Sequence, residues 1–171
     1  MKNFTFGCVL SFLLLPGAVY ADSMNVKALY KKMLDNIVDN VQCNEQEFTL
    51  EIPRRNSDNE DVIQLYATRF TNSVLVNFAI ENNKVGINID VYPMPKTPDE
   101  QLIAFCVVSA VQAAIDPSKT TNEYMKLGSK MYSSTLKFGR YEYQSKKYEH
   151  SAYIDIKSQN PTLHYVIDSI D

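Results

Sequence analysis

Fourteen consecutive residues, Leu102 to Ile115, carry no charge, and their apolar members fall on nearly every side of a helix. The segment just before them reads as a helix start: Thr97 can cap, Pro98 suits the first helical position, and Glu100 completes a capping box. Asp116-Pro117-Ser118 then breaks the chain. A helix without a solvated face must be enclosed by other elements, so the rest of the chain has to fold around it. Its length and acidic cap argue against a membrane span, which needs roughly 20 apolar residues.

The flanking segments supply the covering layers. Between Asn25 and Val41, apolar residues at Val26, Leu29, Tyr30, Met33, Leu34, Ile37, Val38 and Val41 follow one helical stripe, with charged and amide residues on the other side. Phe48, Leu50 and Ile52 alternate as a strand ended by Pro53, and Arg54 to Asp61 reads as a polar loop. Residues 61–70 suit either a strand or a short helix. Val74 to Ile80 and Val85 to Val91 alternate on either side of Asn82-Asn83, a pair suited to a tight hairpin turn. After the central helix, Thr120 and Glu123 can cap a further helix running to about Tyr132. Leu136 to Tyr143 and Tyr148 to Ile156 read as a hairpin joined by Gln144 to Lys147, and Leu163, Tyr165 and Ile167 as a last strand. Runs of strands separated from runs of helices predict an α+β fold. It is a single domain with a mostly antiparallel sheet of about six strands, packed on a buried central helix plus an N-terminal amphipathic helix.

The chain of 171 residues begins with a positively charged Met1-Lys2-Asn3, an apolar run from Phe4 to Leu15, and Val19-Tyr20-Ala21. These have the pattern of an export signal over residues 1–21, leaving one domain over 22–171 and a mature start at Asp22. The expected localisation is periplasmic or secreted, with no membrane span after signal cleavage. Removing the signal takes Cys8 away and leaves Cys43 and Cys106, which in an oxidising compartment are expected to form one disulfide. Neither sits in a Cys-x-x-Cys or zinc-ligand spacing.

The mature part carries 16 Lys and Arg against 20 Asp and Glu, because only Lys2 of the 17 basic residues is lost. That balance argues against a nucleic-acid binder, which needs a basic surface to neutralise phosphates. The two histidines, His150 and His164, match no metal-binding spacing. A shared site with Asp155 or Asp168 is conceivable if the last strands pair, but both are expected at the surface. Asp58-Asn59-Glu60-Asp61 lacks the glycine and distal glutamate of a calcium loop, and the chain has no phosphate-binding or nucleophile-elbow motif. No catalytic residue, metal ligand or cofactor is therefore expected.

Recognition has better support. Tyrosine is favoured at binding surfaces, and Tyr141, Tyr143 and Tyr153 are expected to share an outer sheet face if the final hairpin forms. The function expected is a non-catalytic module that binds another protein, such as a periplasmic inhibitor or a toxin-neutralising immunity protein. A small-ligand or lipid carrier, using a hollow between sheet and central helix, is the alternative, and a hydrolase with an unrecognised site the third reading.

Overall fold

The computed structural model describes residues 26–47, 51–55, 64–71, 74–81, 84–155 and 161–170. Its elements run α1 (Val26–Val38), β1 (Arg54–Arg55), β2 (Gln64–Thr71), β3 (Val74–Glu81), β4 (Lys84–Val91), α2 (Pro98–Ile115), α3 (Thr121–Phe138), β5 (Arg140–Gln144), β6 (Tyr148–Asp155) and β7 (Thr162–Ser169). The strands form one sheet in the order β1-β2-β3-β4-β7-β6-β5, and every neighbouring pair is antiparallel. The three helices cover one face of it, giving the α+β fold that the sequence predicts.

The uncharged helix behaves as its composition demands. Thr97 accepts a hydrogen bond from the Glu100 N–H while the Glu100 carboxylate accepts from the Thr97 N–H, so the capping box is complete. From Cys106 to Ile115 every residue of α2 is buried, including the polar Ser109 and Gln112. The sheet lies on one side of α2, its inward positions Val76, Phe78, Ile87, Ile89, Leu163, Tyr165 and Ile167 fully enclosed. On the other sides, α1 brings Leu29, Met33 and Ile37, and α3 brings Met125, Met131 and Tyr132. Lys32 and Asn36 of α1 also donate to the Ala114 and Ala110 carbonyls, using the polar edge of the stripe to fix the crossing.

Cys43, buried just beyond α1, is bonded to Cys106 in the first half of α2, with Cα atoms 5.6 Å apart and a sequence separation of 63. The pairing expected from the even cysteine count is thus present. It ties the end of α1 to the core helix. Among the described residues, no helix is long and apolar enough to cross a membrane.

Several boundaries differ from the sequence reading. Residues 64–71, read as strand or helix, form β2, which pairs along β3. Arg54–Arg55, assigned to a polar loop, form the short edge strand β1. Ile52 stands exposed before β1, outside any regular element, while Phe48 and Leu50 lie outside the described residues. The β-rich stretch Leu136 to Phe138 is the last turn of α3, not a strand. Gly139, with φ of 81°, adopts the left-handed conformation that ends a helix at little cost for glycine, and its N–H bonds the Thr135 carbonyl. The expected signal at residues 1–21 and the Asn82-Asn83 turn lie outside the described residues.

Replacing Cys106 by Ala should lower unfolding free energy by about 2–5 kcal/mol, since the bond closes a long loop of the unfolded chain. Urea unfolding without reductant measures this, and unchanged stability would contradict it. Val108→Asp, which places an unpaired carboxylate in the fully enclosed centre of α2, should abolish cooperative folding. A variant with the parental melting temperature would show that α2 is not the core.

Candidate functional site

The chain builds two polar clusters on opposite faces of the sheet. The first closes the C-terminal end of α2. Asp116 is the cap residue there, and its backbone N–H bonds the Gln112 carbonyl. The Asp116 carboxylate accepts from the Ser118 N–H at 3.1 Å, with the hydroxyls of Ser145, Tyr124 and Ser118 close by. His150 of β6 sets Nε2 at 3.2 Å from Asp116 Oδ2, while its Nδ1 lies 3.4 Å from Gln112 Nε2. A neutral imidazole fits both contacts, with Nε2–H donating to the carboxylate and Nδ1 accepting from the amide. The rings of Tyr124 and Tyr143 flank it with centroids 5.6 and 5.5 Å away.

Burial and hydrogen bonding set the charges in this cluster. Burial works against ionising Asp116, but the hydroxyls of Ser145, Tyr124 and Ser118 and the Ser118 N–H outweigh it and hold its pKa well below the usual carboxylate range. Burial drives the His150 pKa down, against the pull of Asp116, which favours the neutral ring. Tyr124 is raised by burial and by the neighbouring Asp116 charge. The arrangement suits a structural lock. His150 is 0% exposed, and its second ring nitrogen faces an amide in place of a nucleophile. The His150–Asp116 contact joins β6 to the α2–α3 connection, and Ser145 bonds Tyr148 within the β5–β6 turn.

The second cluster lies on the face that the helices leave uncovered. Along β3, β4, β7 and β6, buried positions alternate with partly exposed ones, and the latter place Asn77, Asn88, Asp90, His164 and Tyr153 on the outer side. The cross-strand partners Asp90 and His164 meet at 2.6 Å between Oδ1 and Nδ1. Asn88 donates to the same carboxylate at 2.7 Å and Asn77 at 3.4 Å. Tyr153, opposite His164, stacks on its ring with a centroid distance of 4.7 Å and a 21° tilt. Asp90 thus gathers three donors from three strands, and Tyr153, 39% exposed, caps the row.

These placements revise the expectations for the tyrosines and histidines. The final hairpin forms, but Tyr141 pairs with Ala152 and Tyr143 with His150, both buried, so Tyr141 and Tyr143 lie on the helix-covered face. There Tyr141 packs against the core under Lys130, and Lys119 sits 5.2 Å from the Tyr143 ring. Only Tyr153 occupies the outer face. A shared face for all three is ruled out by the pleat, because Tyr153 is opposite Arg140. The last strands pair as expected, yet His150 is opposite Ile167 and His164 opposite Tyr153, which puts the two histidines on different faces. His150 is not the surface residue anticipated. Each histidine takes its own aspartate, Asp116 or Asp90, neither of which was expected. Among the described residues, no group of three or more His, Cys, Asp or Glu side chains could hold a metal ion.

The space between sheet and α2, where a carried ligand would sit, is occupied by enclosed side chains such as Phe78, Val108 and Tyr165. A polar cleft of about 170 Å³ lies between the end of α1 and the start of α3, lined by Asn36, Asp39, Asn40, Thr120, Thr121 and Asn122. Asn40 spans it, donating to Asn122 while accepting from the Gln42 and Cys43 N–H groups. Comparison with protein-family models, curated proteins and solved structures finds no match to this chain.

The buried lock has a pH signature. Free histidine titrates near 6.5 and folded His150 lower, so its contribution to stability is complete above that pH and is lost as pH falls toward the folded value. Asp116 has the same sign at lower pH, contributing above its unfolded value near 3.8 and losing that contribution as the carboxylate protonates. Melting temperature should therefore fall as pH drops below 6.5, and His150→Gln should flatten the upper part of this dependence. An unaltered pH profile in that variant would contradict the assignment. Asp116→Ala, which strands several buried donors, should cost about 3 kcal/mol in urea unfolding.

Proposed function

We propose that the chain is an exported, non-catalytic module that binds another protein through the uncovered sheet face around Tyr153. The observation that carries this reading is the pre-set row on that face, in which Asn77, Asn88 and His164 converge on Asp90 and Tyr153 is stacked over His164. A ring already fixed by stacking loses little freedom on binding, the property expected of an aromatic anchor. Leu75, Ala79 and Val166 supply partly exposed apolar area beside the row.

Charge describes the partner further. On the outer side of β4 to β7 lie Asp90, Glu142, Glu149, Asp155 and Asp168, against Lys84 and Arg140. Glu149 and Asp168 are directly opposite each other, a pairing of like charges that costs stability in the free chain and that a cation would relieve. The partner surface is accordingly basic or neutral. A periplasmic or secreted setting fits the leader pattern and the Cys43–Cys106 bond. An inhibitor or immunity protein is the kind of module this describes.

A photocrosslinking residue at position 153 tests the proposal when the protein is expressed with its leader in the native host. It should trap one protein species, whereas the same probe at exposed Lys126 of α3 should not. Once that protein is in hand, Tyr153→Ala should weaken binding by more than about 1 kcal/mol, and added salt should weaken it further. Equal trapping from both positions, or binding unaffected by Tyr153→Ala, would overturn the assignment to this face.

A further inference from the structure

Among the described residues, the sheet has an unpaired edge whose sequence is complementary to itself. β5 is the terminal strand, and its Arg140, Glu142 and Gln144 are exposed. The Ser145 N–H bonds the Tyr148 carbonyl across the turn, which fixes the phase of the ladder. Ser145, Tyr143 and Tyr141 point their backbone groups toward β6, so the N–H and C=O groups of Arg140, Glu142 and Gln144 point away from the sheet. Edge strands are commonly blunted by charge. Here the charges are of opposite sign and two residues apart, and they already attract, with Arg140 Nη2 at 2.6 Å from Glu142 Oε1.

We propose that β5 pairs with β5 of a second copy of this chain, antiparallel about a two-fold axis through Tyr141. Three two-fold registers bring outward backbone groups together. Centring on Glu142 opposes two carboxylates, and centring on Tyr143 leaves Glu142 facing Gln144. Centring on Tyr141 sets each Arg140 opposite the Glu142 of the other copy and places the two Tyr141 rings at a close, non-hydrogen-bonded site. Four backbone hydrogen bonds and two opposite-charge cross-strand pairs result. Lys130, over Tyr141, flanks the axis from each copy and is exposed to solvent, where its repulsion is screened. The axis runs perpendicular to the sheet, so the uncovered faces of both copies join into one surface presenting Tyr153 twice. The contact is short, and the dimer accordingly weak.

Sedimentation velocity of the wild-type protein across a concentration series tests this, together with Arg140→Glu and Glu142→Arg. Both residues are exposed, so each variant should keep the parental melting temperature. The wild type should dimerise with rising concentration, and each single charge reversal should weaken self-association at least tenfold. An equimolar mixture of the two variants should recover the dimer, because every opposed pair then has opposite sign. A wild type that stays monomeric, a dimer insensitive to either reversal, or a mixture that stays monomeric would overturn the proposal. Partner trapping at position 153 is read separately, so failure here leaves that result distinguishable.

Discussion

Enclosure of α2 is the constraint on which everything else in this molecule depends. A helix with ten consecutive buried residues cannot lie at a surface, so α1, α3 and the sheet are arranged by the need to cover it. All three helices are thereby committed to one side of the sheet. Among the described residues, no helix covers the opposite face. Burial also creates a difficulty at the C-terminal end of α2, where carbonyls lose their helical partners inside the protein. The Asp116 N–H bonds the Gln112 carbonyl and Lys32 of α1 bonds the Ala114 carbonyl, while the Asp116 side chain recruits His150 from a strand 34 residues away.

That recruitment links the core to the sheet edge. His150 of β6 and Ser118 after α2 both bond Asp116, while Tyr124 of α3 and Tyr143 of β5 flank the imidazole. The hairpin is therefore held at His150 as well as by its neighbour β7. A held hairpin presents Tyr153 on one side and the β5 edge on the other in fixed geometry. The recognition proposed for the outer face needs such fixity, since ordering a loose strand on binding would consume much of the affinity gained.

What the sequence disclosed follows from the range of each interaction. α2 was legible to the residue because its signals are local, with Thr97, Pro98 and Glu100 at one end and Asp116-Pro117 at the other. The disulfide was legible from cysteine count. The end of α3 was not, because Leu136 to Phe138 resembles strand by composition, and the glycine at position 139 decides the outcome. The tyrosine faces were legible in principle from parity. A hairpin loop of even length sets Tyr141 and Tyr143 opposite even-numbered residues of β6, so they share a face with Tyr148 and His150, and Tyr153 falls on the other. Burial of His150 was hidden, because its aspartate and glutamine partners come from a distant helix, and a histidine in an alternating strand reads as solvent-facing by default.

The central claim is that the C-terminal half of α2, the start of α3 and the β5–β6 hairpin form one cooperative unit fastened at Asp116 and His150. Native-state amide hydrogen exchange tests it most directly. Amides of Val111 to Ile115 and of the β6 residues around His150 should exchange with one common free energy, equal to that of global unfolding. Hairpin amides that exchange through a separate opening of markedly lower free energy, while α2 stays protected, would contradict the account.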